Sequence, residues 1–187
     1  MTKRTRAGFT IVELMMVVGI IAVLMTIVTT AAGGAIKSAR AHKGDALVAM
    51  IQVGLNTYYA QKEEWPGSFG NNVAGGIQSN ISGDDDNYLL STSEADECIA
   101  EMVRESVHGN PLLDVTGLFV CRSSMANSDK AVGMDFMDAV HGTKRSPKKM
   151  KLAEMAFGYP RASDGRFRRF KITYSIPADT ITVGKND

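Results

Sequence analysis

The sequence predicts an α+β fold: a long N-terminal α-helix whose second half packs on a small antiparallel β-sheet. Three observations predict it. Residues 9–28 form an apolar run that holds a single carboxylate, Glu13. Apolar residues then recur at helical spacing as far as Tyr58. Near the C-terminus, Phe170, Ile172, Tyr174 and Ile176 alternate with Lys171, Thr173 and Ser175, the period of a half-buried strand.

The apolar run comes first. Phe9 to Val28 is twenty residues, about 30 Å as a helix and enough to span a bilayer. Lys3, Arg4 and Arg6 precede it and favour a cytoplasmic N-terminus; Lys37, Arg40 and Lys43 follow it and weaken that bias. A secretory signal peptide is a second reading, with Ala31, Ala32, Gly33 and Gly34 as small residues before a cut. Glu13 is awkward for both. At a bilayer centre a carboxylate costs about 2.5–3.5 kcal/mol, and a plain anchor does better with Leu. Glu13 therefore reads as a group kept for a partner.

The second half of the helix follows. Leu47, Met50, Ile51, Gly54, Leu55 and Tyr58 lie on one face. Trp65-Pro66-Gly67 stops the pattern, because Pro cannot continue a helix. A single helix from Thr10 to Gln61 is about 75–80 Å long. Residues 66–88 are rich in Gly, Asn, Ser and Asp and read as a loop. Within it Asp84-Asp85-Asp86-Asn87 gathers oxygens. Asp84 and Asp86 can be written as calcium ligands, but the spacing is not that of an EF-hand, and a solvated acidic turn explains the run as well.

Ser91-Thr92-Ser93-Glu94 has the form of a capping box and opens a helix that buries Cys98, Ile99, Met102 and Val103. His108-Gly109-Asn110-Pro111 ends it. Leu118-Phe119-Val120-Cys121 reads as a short buried strand. Residues 122–150 show no clear period; Met134 to Val140 reads as a helical turn or a loop. Phe170 to Ile176 and Thr180 to Val183, separated by Pro177-Ala178-Asp179, form a terminal antiparallel hairpin.

Composition bounds the rest. The 187 residues are 44% hydrophobic and 22% charged, as in ordinary folded proteins. The part beyond the apolar run is one modest domain. The net charge of +1 conceals a sorting: residues 63–103 hold nine acids and no Lys or Arg, and residues 144–171 hold ten bases and two acids. The two halves can attract each other within one fold or between neighbours. Lys148, Lys149, Arg168 and Arg169, with interleaved Phe, are also the candidates for contact with a nucleic-acid backbone. Cys98 and Cys121 can form one disulfide in an exported domain, or stand as buried thiols in a cytosolic one. His42, His108 and His141 are far apart, and no zinc spacing joins them to the cysteines. No P-loop, dinucleotide fingerprint or nucleophile elbow is present, so the expectation is a chain without cofactor that is not an enzyme.

Gly8-Phe9-Thr10-Ile11-Val12-Glu13, after a short basic leader and before an unbroken apolar helix, resembles the class III signal of type IV pilins and type II secretion pseudopilins over residues 3–30. The resemblance implies a leader of residues 1–8, cut between Gly8 and Phe9 by a prepilin peptidase, and N-methylation of Phe9. It implies that Glu13 pairs with the Phe9 amine of a neighbouring subunit, so that a buried charge is tolerated because it is paired. Residues 9–30 are then the transmembrane and filament-core helix, 31–62 the amphipathic second half of the spine, and 63–187 the globular head. The expected location is the bacterial inner membrane, with the head extracytoplasmic. The expected partners are pilin-like subunits and an inner-membrane assembly platform. A DNA-binding minor pilin of an uptake system is the alternative. Many relatives carry a Pro where this chain has Thr30. Gly33 and Gly34, each about 1 kcal/mol worse than Ala in a helix, are the expected place of unwinding in a filament.

Overall fold

The computed structural model describes residues 9–67, 87–109, 112–142, 149–175 and 178–186. The expectations for Gly8, Asp84, Asp86, Asn110, Pro111, Lys148, Ile176 and Pro177 fall outside them. The chain divides into two compact units, Met1–Ser38 and Ala39–Asp187, and the division lies within the first helix, α1 (Ile11–Lys62).

In the first unit, α1 is the only described element. Its apolar side chains, from Ile11 to Val28, are all exposed. This helix is long and apolar enough to cross a membrane. Its hydroxyls are met from within: Thr26 donates to the Ala22 carbonyl at 2.9 Å, Thr29 to that of Met25 and Thr30 to that of Ile27 at 2.9 Å. Such internal bonds suit a helix with no water around it. α1 runs through Gly33 and Gly34 without a break.

The second unit is an α+β domain with a six-stranded antiparallel sheet. Its strands are β1 (Asn87–Leu89), β2 (Phe119–Arg122), β3 (Met134–Asp135), β4 (Met155–Pro160), β5 (Phe167–Ser175) and β6 (Thr180–Lys185). The order is β1-β5-β4-β2-β3, with β6 also on β5. β1 and β6 both pair with residues 173–175 of β5, so they lie on its opposite edges. β4 pairs with β5 only over Phe167–Arg169. The expected hairpin is present in full register, from Phe170↔Lys185 to Ser175↔Thr180.

Two helices pack on this sheet. From Ala39 onward α1 buries Gly44, Leu47, Ile51, Gly54, Leu55 and Tyr58, the stripe that its sequence spacing predicts; Met50 is half-buried. Gly54 is required by packing, because a Cβ there would lie 2.4 Å from Leu113 Cδ2. The Gln52 side chain pairs with the edge of β6: its amide N–H donates to the Ile181 carbonyl at 2.7 Å, and its oxygen accepts from Val183 N–H at 2.8 Å. α2 (Thr92–Val107) opens on the predicted capping box, with Ser91 as N-cap and Glu94 bonding back to Ser91 N–H. It buries Ala95 beside the four expected residues. A short α3 (Phe136–His141) follows β3, which resolves the 134–140 stretch.

Asp179, in the turn before β6, ties these parts together. Its carboxylate accepts from the Tyr59 hydroxyl at 2.6 Å, the Tyr174 hydroxyl at 2.9 Å and the Trp65 indole at 3.2 Å. Tyr59 and Trp65 stack with centroids 4.4 Å apart. The Tyr59 and Trp65 bonds hold the Asp179 carboxyl below its ordinary value. A carboxyl lowered by folding stabilises above its unfolded value and loses that contribution as pH falls through the folded one. Asp179→Asn should therefore lower the melting temperature at neutral pH. The gap to the parent chain should close as pH falls through and below the ordinary aspartate range, read by circular dichroism melts at acid pH.

Candidate functional site

The start of α1 is built from four residues, Thr10 to Glu13. Thr10 stands just before the helix and Glu13 at its third position. Thr10 N–H and Thr10 hydroxyl both donate to Glu13 Oε2, each at 2.9 Å. Glu13 N–H donates in return to Thr10 Oγ1 at 3.3 Å. This is a reciprocal capping box, and it places a negative charge where the helix dipole favours one. Among the described residues no donor reaches Glu13 Oε1. The surroundings are apolar and open: Phe9 is 82% exposed, and Ile11, Val12, Leu14, Met15 and Met16 are exposed with it.

One carboxylate oxygen is thus held by its own chain and the other is available to an external cation. In apolar surroundings such a charge is tolerated only if a cation meets it. The capping box fixes the carboxylate's rotamer before a partner arrives. The T-x-x-E form that signals it is the same one read at Ser91-x-x-Glu94; at Thr10 the sequence reading passed over it.

The other expected site residues, Arg169, Arg168 and Lys149, differ in their surroundings. Arg169 lies against α2: it donates to Asp96, to the Thr92 carbonyl at 3.2 Å and to Asn127 at 3.1 Å. The Arg169 and Asp96 side chains are 11% and 15% exposed. Asp96 also accepts the Phe157 N–H at 3.0 Å, one residue before the β4–β5 ladder begins. Burial pushes the Asp96 carboxyl up, against these bonds. Arg168 pairs with exposed Asp129 at 3.3 Å. Lys149 is exposed. So Arg169 joins the basic segment to the acidic one within the domain.

Of the two arrangements open to the cysteines, the structure has Cys98 and Cys121 as separate buried thiols. Cys98 lies on α2 and donates to the Pro66 carbonyl at 3.0 Å, whereas Cys121 sits on β2 opposite Ala156 of β4. Burial pushes the Cys98 thiol up to about 12 and raises that of Cys121, so both stay protonated. Among the described residues no group of three or more His, Cys, Asp or Glu is placed to hold a metal. A hollow of about 650 Å³ is lined by Tyr58, Glu64, Trp65, Glu97, Glu101 and Arg104 among others. Arg104 engages Glu101, and no histidine or thiol lines it.

The family model for the prokaryotic N-terminal methylation motif matches residues 3–29. The chain thus carries the prepilin-type signal of type IV pilins and pseudopilins, and its N-terminal segment is pilin-like. No curated protein and no solved structure gives a match.

The two arginine pairs should respond differently to truncation. Arg169→Met leaves Asp96 buried without its cation and should cost about 3 kcal/mol. Arg168→Met removes an exposed pair and should cost less than about 1 kcal/mol. Urea unfolding of the two variants beside the parent chain measures both; equal costs would contradict the assignment.

Proposed function

We propose that the chain is a structural subunit of a type II secretion pseudopilus or a type IV pilus-like filament. The prepilin-type signal over residues 3–29 supports cleavage by a prepilin peptidase between Gly8 and Phe9 and methylation of the new N-terminus. The cut exposes an amine on Phe9. Glu13 of one subunit then meets the Phe9 amine of the next, and the apolar helices bundle around that pair. Before assembly the same helix holds the subunit in the inner membrane, with the head on the extracytoplasmic side. Assembly, not catalysis, is the chemistry in this reading, and the inner-membrane platform supplies the partners.

The observation that carries the reading is the state of Glu13. Its Oε2 is fixed by Thr10, its Oε1 is open, and every large apolar neighbour on the helix is exposed. A carboxylate arranged in this way inside an apolar helix makes physical sense if another molecule brings both the cation and the apolar cover. Thr29 and Thr30, whose hydroxyls compete for helix carbonyls, precede Gly33 and Gly34. A Cβ at either glycine would meet nothing within 4 Å in the chain. We place any opening of α1 on assembly at these glycines, and filament density showing a continuous helix there would remove that idea.

Three variants test the assembly step. Glu13→Ala loses both the charge and the cap. Glu13→Gln keeps an oxygen for Thr10 but has no charge. Thr10→Val keeps the charge and frees the rotamer. The expected result is normal membrane insertion for all three, loss of sheared filaments for both Glu13 variants, and a partial loss for Thr10→Val. Filaments at parental level from Glu13→Gln would overturn the charge-pairing role.

A further inference from the structure

The turn after β4 gathers more positive charge than the domain neutralises. Arg161 and Arg166 both grip Asp164: Arg161 Nε donates to Oδ1 at 2.9 Å and a second N–H of Arg161 reaches Oδ2, while Arg166 N–H donates to Oδ1 at 3.0 Å. Arg166 also approaches Oδ2 at 3.3 Å and donates to the Asp129 carbonyl at 2.7 Å. Arg40 of α1 comes up to the same turn. A Cβ on Gly165, whose φ is +75°, would lie 2.9 Å from the Arg40 guanidinium. Among the described residues Arg40 has no carboxylate partner. Arg168 completes the group through Asp129. Among the described residues, four guanidinium groups stand against two carboxylates, an excess of two positive charges.

Beside this cluster is a hollow of about 300 Å³ lined by Tyr159, Arg161, Arg168 and Asn186. A guanidinium has five N–H donors. Arg161 commits two to Asp164, and Arg168 directs two, weakly, at Asp129 Oδ1 at 3.3 Å. Each keeps three, and Asn186 adds an amide. From this geometry we infer that the hollow between Arg161, Arg168 and Asn186 is a binding site for a phosphate oxyanion, free or as the headgroup of an anionic phospholipid. Planar, forked donors match a phosphate better than a spherical halide, and the excess charge persists when the ion pairs are intact. The weak Asp129 contact is the one that an incoming anion competes with.

The full-length isotope-labelled protein in zwitterionic micelles, titrated with sodium phosphate against sodium chloride at equal ionic strength, tests this. The amide signals of Gly165, Arg166 and Asn186 report on the site. A saturable phosphate-specific shift is expected. Asn186→Asp, which touches neither ion pair, should weaken it about tenfold, and Asp129→Asn, which releases Arg168, should tighten it several-fold. In a second arm, phosphatidylcholine nanodiscs with and without phosphatidylglycerol replace the micelles. A shift that requires phosphatidylglycerol assigns the source to the lipid headgroup; one produced by inorganic phosphate alone assigns it to the free ion. Shifts that follow ionic strength only, or that Asn186→Asp leaves unchanged, would overturn the site.

Discussion

The contact on which the second unit depends is the stripe of α1 formed by Leu47, Ile51, Leu55 and Tyr58, all at or near complete burial. Burying side chains of this size stabilises by roughly 1.5–3 kcal/mol each. The other large apolar surface packed on the six-stranded sheet is that of α2, with Ala95, Cys98, Ile99, Met102 and Val103. The polar contacts are placed around the α1 stripe. Gln52 lies one residue beyond Ile51 and reaches β6, and Tyr59 lies one residue beyond Tyr58 and reaches Asp179. Each of these bonds fixes the direction of a contact whose energy comes from the apolar residues beside it.

A second rule recurs through the chain: carboxylates are placed against backbone N–H groups that would otherwise lack a partner. Glu13 accepts from Thr10 N–H, Glu94 from Ser91 N–H and Asp96 from Phe157 N–H. Two of these close the first turn of a helix. The third lies just outside the part of β4 that pairs with β5. The charge that makes each group expensive away from water also strengthens the bond it makes there. Glu13 differs from the others in its surroundings, since its neighbours are apolar and uncovered.

How much of this the sequence reveals depends on the range of the interaction. Periodicity located α1, α2 and the terminal hairpin to within three residues at every end, because each is defined by its own spacing. The Ser91 cap was legible from four residues. β4 escaped notice because all six of its positions are buried, so no alternation marks it. β1 and β3 are too short to show a period. Asp96 and Arg169 are 73 residues apart; their charge signs are legible in the sequence, but their meeting is not. At the candidate site Glu13 stood out as a cost. Its tie to Thr10 was written in the same motif as Ser91–Glu94, and the apolar run drew the eye away from it. The cysteine count left a disulfide and two buried thiols equally open, because it carries no information on where the thiols sit: one is on a helix and the other in a strand.

The side chain of Gln52 takes the two backbone positions on β6, at Ile181 and Val183, that an additional strand would need first. An open strand edge is a template for pairing with any other chain. Subunits confined to a membrane meet their copies far more often than soluble proteins do. A head with that margin exposed could stack through its sheets into aggregates of no fixed geometry. With those two positions taken by one amide from its own helix, the edge of β6 is blunted as a template, and the domain can be crowded against its copies without zipping to them there.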